Sequence, residues 1–484
     1  METKKGIVSN FIWRIAERSG AQLVMILVQI ILARLLEPEV YGLVALITIF
    51  TSILQVFIEN GMGNALIQKE DADDLDFSSI FYFNVVFCTL IYALLYICAP
   101  WIAGFLGYSE LTMAFRILSL TVLISGVKNV QQAYVSRKLM FKKFFFSTLT
   151  GTIIAAAVGI GMAYGGYGVW ALVAQQIVNL TVDTIVLWIT VGWRPQRRFS
   201  VNRVRKLFSY GWKLMVSALI DSIYNNMYQL VIGKVYSSAD LAFYNQGRYF
   251  PSAIVENINA SIDSVMFPVL SKEQSKVEHV KAMTKRTIQV STYVLAPLMI
   301  GLASVAPTLV ELLLTEKWMK CVPFVQIFCI RYLFWPMHTI NLNAIKAMGR
   351  SDIFFRLEVI KKTIGVAFFV FMMRYGILAI AGALVIQSLI NQAINAFPNK
   401  KLLGYCYTEQ LADALPGIAL AVVMGIVTYA LQWIAAPLAL KLMIQVSVGA
   451  GIYIAGSYIF KLKAFLFTKE MVKGFLQYKC VGKH

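Results

Sequence analysis

Residues 77–106 read FSSIFYFNVVFCTLIYALLYICAPWIAGFL, a run without Asp, Glu, Lys or Arg. A helix needs about 20 mainly apolar residues to cross the hydrocarbon layer of a bilayer, so this segment is long enough to span a membrane. Similar stretches recur along the chain, because 58% of its 484 residues are hydrophobic and only 14% are charged, against about 25% charged residues in soluble proteins. The composition predicts a polytopic membrane protein and excludes most soluble catalytic domains.

The same length rule predicts about fourteen transmembrane helices. They are Val8–Leu36, Val40–Ile67, Phe77–Leu106, Leu111–Tyr134, Phe144–Tyr164, Val169–Gly192, Leu207–Tyr236, Leu241–Leu270, Met283–Leu314, Val322–Ala347, Ile353–Arg374, Leu378–Phe397, Leu415–Ile434 and Leu438–Phe460.

The chain also contains a weak internal repeat. A shift of 200 positions aligns Gln29 with Gln229 and Arg34 with Lys234. Because each repeat holds six spans, an even number, we expect two like-oriented halves related by an axis along the membrane normal, with a transport site between them at the midplane. The predicted fold is an all-α, MATE-like membrane protein with a lobe at 1–192, a basic linker at 193–206, a lobe at 207–400, two further helices at 401–460 and a basic tail at 461–484.

The distribution of basic residues predicts the orientation of the chain. Lys and Arg number 44 against 25 Asp and Glu, a net charge of +19, and they concentrate at the N-terminus, in every second loop and in the tail. Both termini are therefore expected in the cytoplasm. We expect the linker and tail to lie on anionic lipid, with docking of a cytoplasmic glycosyltransferase as the alternative. No nucleic acid, metal site or cofactor is expected, since the chain has only three His and no C-x-x-C spacing.

Ionisable residues inside spans usually face a cavity or one another. In the eighth span, polar positions recur every three or four residues and so share one helix face: Asn245, Arg248, Ser252, Glu256, Asn259 and Asp263. Internal pairing, such as Arg248 with Glu256, is one interpretation, and a water-filled cavity is the one we favour. Arg248 and Arg331 each have an apolar stretch on both sides, whereas Arg14 and Arg18 could extend to the cytoplasmic interface.

A cationic cavity suits a bulky anionic ligand, because the guanidinium fork matches phosphate oxygens. The candidate cations are Arg14, Arg18, Lys213, Arg248 and Arg331. Candidate side chains for sugar contacts, for which ordinary packing is an equal alternative, are Asn225, Tyr228, Asn245, Tyr249 and Asn257. Transport could be coupled to protons or sodium ions through Glu59, Asp221 or Glu256.

Several motifs resemble the Wzx-type polysaccharide flippases, in particular the colanic-acid and teichuronic-acid exporter branch of the multidrug/oligosaccharidyl-lipid/polysaccharide (MOP) superfamily. They include FIWR at 11–14, ENGMGNALIQK at 59–69 and FPVLS at 267–271. The resemblance implies a protein of the bacterial cytoplasmic membrane that moves an undecaprenyl-diphosphate-linked oligosaccharide to the outer leaflet by alternating access. It also implies membrane lipids and polysaccharide-assembly proteins as partners.

The resemblance extends to one site residue. In the related lipid II flippases an arginine of the eighth span is needed for function, and YNQGRYFP at 244–251 matches its surroundings. The resemblance thus implies that Arg248 binds the diphosphate. Their arginine in the second span has no counterpart here, since residues 40–58 contain no basic residue, which argues against lipid II as the substrate.

Two alternatives compete with a flippase. A MATE-like ion-coupled antiporter of drugs or metabolites would have a cavity dominated by acidic and aromatic residues, and the arginines count against it. A membrane-embedded transferase or polymerase would need long outer loops, but Glu37–Glu39 and Gly165–Gly168 are short. No phosphate-binding Gly-rich loop or nucleophile elbow is present, so we predict that the protein is not an enzyme.

Overall fold

The computed structural model describes residues 4–69 and 71–469, and within these ranges the regular elements are helices. They are α1 (Lys4–Leu35), α2 (Pro38–Phe57), α3 (Asn64–Gln68), α4 (Asp74–Leu106), α5 (Thr112–Leu118), α6 (Leu120–Arg137), α7 (Phe141–Tyr164), α8 (Val169–Thr190), α9 (Val201–Val235), α10 (Ser238–Lys272), α11 (Val277–Leu314), α12 (Val322–Leu333), α13 (Trp335–Ala347), α14 (Ser351–Met372), α15 (Ile377–Leu403), α16 (Tyr407–Ala430) and α17 (Leu438–Ile459). The prediction of an all-α polytopic membrane protein is confirmed.

Nine helical segments among the described residues are long and apolar enough to cross a membrane. They are α2, α4, α7, α8, α11, α15 and α17, the segment Ser109–Arg137, and the segment Tyr407–Trp433. The other five predicted spans correspond to α1, α9, α10, the α12–α13 pair and α14, in which ionisable side chains lower the mean hydropathy or the helix is short. The predicted number of about fourteen spans stays a prediction.

The repeat predicted from the sequence is present in the order of the helices. Helix α1 ends at Leu35 and α2 begins at Pro38, while α9 ends at Val235 and α10 begins at Ser238, an offset of 200 at both boundaries. Each half then continues with a long helix, a 3-10 turn, a pair of short helices and two further helices. By its contacts the chain divides into two compact units, residues 1–242 and 243–484. The predicted lobe boundaries at 192 and 207 stay a prediction.

Two predicted spans contain a break in the regular α-helix. The span Leu111–Tyr134 is interrupted at Ser119, whose hydroxyl donates to the Phe115 carbonyl at 2.7 Å. The span Val322–Ala347 is interrupted at Phe334. There Pro336 follows in the first turn of α13, and proline cannot continue a helix because it lacks an N–H and its ring collides with the preceding turn.

The second predicted span, Val40–Ile67, is also not one regular α-helix. After α2 the chain forms a π-helical turn at Ile58–Gly63, and α3 follows. In this first compact unit, buried residues of α1, α2, α4, α5 and α8 form an apolar core. Buried residues of α10, α11, α13, α15 and α16 form a corresponding core in the second unit. These cores hold the polar helices in place.

The segment that precedes α9 is bound to the N-terminal end of α4. The backbone N–H of Gln196 donates to Ser78 Oγ at 2.8 Å, and that of Ser200 donates to Ser79 Oγ at 3.0 Å. At the start of α9, Arg203 Nη1 is 3.3 Å from the buried carboxylate of Asp76. Since α9 begins at Val201, the irregular part of the predicted linker is shorter than 193–206.

Two basic residues, Arg194 before α9 and Arg203 in its first turn, contact other groups of the protein. Arg194 donates to the carbonyls of Val191 and Trp193 at 2.6 and 2.8 Å, and Arg203 also reaches Asp73 at 3.2 Å. The Asp76 backbone N–H, which donates to the Asp73 carboxylate, holds the pKa of Asp73 below its usual value, together with the charge of Arg203. Asp73 is therefore ionised at neutral pH. Docking of this segment on lipid or on a glycosyltransferase stays a prediction.

Candidate functional site

Arg248 lies on α10 beside α12, and the glycine before it allows this close approach. A Cβ atom at Gly247 would lie 2.4 Å from the Cβ of Phe324 and 3.0 Å from the backbone nitrogen of Val325. Both distances are shorter than van der Waals contact, so only glycine fits at this crossing without displacing a helix. As a result, the half-buried Arg248 side chain is held against α12.

A second arginine, Arg331 on α12, shares the aromatic neighbours of Arg248. Arg248 lies close to Tyr332 and Tyr244. The Arg331 guanidinium carbon is 5.4 Å from the centre of the Tyr332 ring and 5.8 Å from that of Phe328, and Arg331 also lies close to Tyr244. Tyr244 is buried and meets Phe328 edge to face, with 5.2 Å between ring centres. We call Arg248, Arg331, Tyr244 and Tyr332 the arginine–tyrosine cluster.

Arg248 and Arg331 carry positive charge without a carboxylate in direct contact. Among the described residues neither arginine forms an ion pair within 4.0 Å. Glu256 lies two helical turns from Arg248 on α10 and does not pair with it at that distance. The sequence-based alternative of an Arg248–Glu256 pair is therefore absent. Each guanidinium group therefore remains able to bind an anionic ligand.

The other predicted residues of α10 divide between two places. Asn245 and Tyr249 flank Arg248 and are half-buried, and the Tyr249 ring lies 5.7 Å from that of Phe250. Asn257 is exposed and its amide donates to the Ala253 carbonyl at 2.7 Å. It lines a separate, mainly apolar cavity of about 750 Å³ between α10 and α11, into which Arg286 also points.

The predicted residues of α9 belong to the first compact unit. Asp221 and Asn225 are exposed, and Tyr228 is buried with its ring 6.2 Å from that of Tyr224. The arginine–tyrosine cluster belongs to the second unit. The side chains of four more predicted residues lie outside the described part of the chain: Arg14, Arg18, Lys213 and Glu59.

The sequence did not single out two features. One is Tyr332, which lies in an aromatic run and therefore gives no periodic signal. The other is a buried ion pair between Lys128 of α6 and Asp183 of α8, at 2.5 Å, in which the second Asp183 oxygen has no hydrogen-bond partner. The described residues contain no group of three or more His, Cys, Asp and Glu side chains that could hold a metal ion.

A repeated set of apolar helices, with arginines inside two of them, is typical of a membrane transporter rather than a soluble enzyme. The fold agrees with solved structures of this class. The lipid II flippase MurJ in its inward closed conformation has a TM-score of 0.72, with 14% identity over 93% of this chain and 98% of that chain. An inward-facing multidrug resistance MATE family transporter of the MOP superfamily has a TM-score of 0.63, with 13% identity over 81% of this chain and 98% of that one.

The chain belongs to the family described as polysaccharide biosynthesis protein, which matches residues 31–323. Its relatives include the teichuronic acid biosynthesis protein TuaB of Bacillus subtilis, 26% identical over 87% of this chain and 88% of the relative. They also include the lipopolysaccharide biosynthesis protein WzxC of Escherichia coli, 22% identical over 82% of this chain and 83% of the relative. The sequence-based assignment to the Wzx-type flippases of the MOP superfamily is confirmed, and these are transporters rather than enzymes.

Proposed function

We propose that the protein is a flippase of the bacterial cytoplasmic membrane. It moves an undecaprenyl-diphosphate-linked oligosaccharide from the inner to the outer leaflet by alternating access, for the synthesis of a cell-surface polysaccharide. The names of its relatives, which refer to teichuronic acid, lipopolysaccharide and the transport of succinoglycan, support a saccharide as the cargo. Both termini are expected in the cytoplasm.

The arginine–tyrosine cluster is the observation that carries this proposal. Moving a charged diphosphate and a sugar through hydrocarbon is costly because their hydrogen bonds to water are lost. Arg248 and Arg331 would replace that water with forked donors to phosphate oxygens, and Tyr332 would hold both guanidinium groups near one position. No bond is broken, so the residues act only by lowering the barrier to crossing.

The apolar cavity between α10 and α11 supports a lipid-linked cargo. Its walls are mainly Ile, Val and Met side chains, with Arg286 as its only basic lining residue. Such a surface suits an isoprenoid chain, whereas the cluster suits a phosphate. We keep Glu59, Asp221 and Glu256 as candidates for coupling to protons or sodium ions.

The test is translocation in proteoliposomes. A defined undecaprenyl-diphosphate oligosaccharide is placed in the inner leaflet, and its appearance outside is measured by cleavage with an added glycosidase. We expect Arg248→Ala and Arg331→Ala each to reduce the rate about tenfold to hundredfold, because a hydrogen bond to a charged group contributes about 1.5–3 kcal/mol.

Arg350→Ala is the matched control, since Arg350 is exposed and pairs with Asp352 at 2.9 Å outside the cluster. It should leave the rate unchanged. If the wild-type protein moves no lipid-linked saccharide but exchanges protons or sodium ions for small organic cations, the antiporter alternative replaces the flippase.

A further inference from the structure

A polar pocket, separate from the apolar cavity between α10 and α11, lies between α10 and α13 in the second compact unit. It measures about 280 Å³ and is lined by Asn259, Ala260, Asp263, Thr339, Leu342, Asn343 and Lys346. The lining residues of α10 are spaced by three and four positions, and so are those of α13, which places each group on a single face of its helix. We call it the asparagine pocket.

Two buried amides of this pocket lack hydrogen-bond partners. Asn259 is 8% exposed and Asn343 is 1% exposed, and the Nδ2 atom of each has no partner. The hydroxyl of Thr339 donates to Asn259 Oδ1 at 3.4 Å, which leaves the NH₂ group of Asn259 as the unused part of the amide. An unpaired buried donor is destabilising unless a ligand or water accepts its hydrogen bond.

The opposite face of α13 shows that unpaired amides are not general in this helix. Asn341 Nδ2 donates to Gln410 Oε1 at 2.8 Å, and Asn399 Nδ2 donates to Asn341 Oδ1 at 2.6 Å. That face is therefore bonded to α15 and α16. Asn259 and Asn343 instead line a space large enough for a ligand.

We propose that the asparagine pocket binds one sugar residue of the transported oligosaccharide, an inference that rests on the proposed function. Asn259 and Asn343 donate to sugar oxygens, the exposed Asp263 carboxylate accepts from a hydroxyl group, and the exposed Lys346 binds a further oxygen. Sugar hydroxyls both donate and accept, so a pocket with donors and an acceptor suits them. A phosphate would be repelled by Asp263.

The position of the pocket sets the minimum length of the ligand. Asn259 follows Arg248 by eleven residues on α10, which corresponds to about 16 Å along the helix at 1.5 Å per residue. A ligand that reaches both the arginine–tyrosine cluster and the asparagine pocket must therefore be longer than a diphosphate with one sugar.

The test measures binding by the full-length protein in lipid nanodiscs. The probes are undecaprenyl diphosphate, the same lipid with one glucose, and the same lipid with a glucose–galactose tetrasaccharide. We expect Asn259→Leu and Asn343→Leu each to weaken binding of the tetrasaccharide lipid about tenfold, the loss of one hydrogen bond. Binding of undecaprenyl diphosphate should not change. Ser264→Ala, an exposed position of α10 whose hydroxyl bonds Ser261, is the control and should bind all three lipids normally.

The outcomes separate this proposal from the proposed function. Equal weakening for all three lipids would mean that the pocket binds the phosphate. Unchanged binding of the tetrasaccharide lipid would mean that the pocket binds no sugar. Either result overturns the sugar-binding proposal but leaves the proposed function standing. If the wild-type protein binds none of the lipids, the proposed function fails as well. Should a leucine variant not fold, the exposed Lys346→Met replaces it, with the same expected loss for the tetrasaccharide lipid.

Discussion

At the residue scale, some charged side chains stabilise the fold, whereas others remain available to bind a ligand. The Asp76 carboxylate is fully buried and is contacted by Lys69, by Arg203 at 3.3 Å and by the backbone N–H of Asp73 at 3.2 Å. Its bonding capacity is used within the protein. Arg248 and Arg331 are only half-buried and have no carboxylate in contact among the described residues, which is why we assign them to a ligand.

Asp76→Ala should lower the free energy of unfolding by about 2–4 kcal/mol, because it leaves Lys69 and Arg203 without their buried partner. Thermal denaturation of the detergent-purified protein measures this change. Asp352→Ala is the control, since its partner Arg350 is exposed and exposed pairs contribute little. Equal melting temperatures for the Asp76 variant and the wild type would show that the contact between α4 and α9 is not stabilising.

Individual site residues differ in how well the sequence predicts them. Arg248 and Arg331 can be identified because a charge between two apolar stretches is unusual in a span. Tyr332 and Asn343 cannot, since their orientation depends on the rotation of α12 and α13 about their axes, and this rotation changes at the break at Phe334. Tertiary packing, rather than local pattern, determines which of these side chains meet.

At the scale of helices, the crossing of α10 and α12 depends on Gly247. We expect Gly247→Ala to reduce translocation at least tenfold and to lower the melting temperature, because overpacking typically costs about 1–3 kcal/mol and moves Arg248 away from Tyr332. The proteoliposome assay and thermal denaturation measure the two effects.

Gly382→Ala on α15 provides the comparison, because an added Cβ there meets no atom within 4 Å. It should keep its activity and become slightly more stable, since alanine favours helices by about 1 kcal/mol over glycine. If both glycine variants behave alike, the close approach of α10 and α12 does not determine the site.

The positions of the helices could be predicted from the sequence, whereas the breaks within helices could be predicted only in some cases. The apolar run at 77–106 lies within α4, Asp74–Leu106, and the run at 438–460 matches α17, Leu438–Ile459. Pro336 is a recognisable signal for the break before α13, but Ser119 is not, because serine occurs in intact helices. The π-helical turn at Ile58–Gly63 likewise was not predicted from the sequence.

At the scale of the whole molecule, the predicted orientation of the chain in the membrane can be tested by cysteine labelling. In a cysteine-free variant, a cysteine at the exposed Ser109 should react with a membrane-impermeant maleimide on intact cells, whereas one at the exposed Arg198 should react only after lysis. The physical reason is that basic segments are retained in the cytoplasm. The reverse labelling pattern would place both termini outside and contradict the proposed direction of transport.

The polar character of α9 and α10 also has a consequence for biogenesis. Each charged residue at the centre of a helix adds about 2.5–3.5 kcal/mol to the free energy of its transfer from the translocon into lipid. Two consecutive helices of this kind partition poorly while the nascent chain is still being synthesised. We therefore expect stable integration of α9 and α10 only once the strongly apolar α11 has emerged from the ribosome. A segment that comprises only residues 201–272 should remain extractable from membranes by alkaline carbonate, whereas one that extends to residue 314 should not.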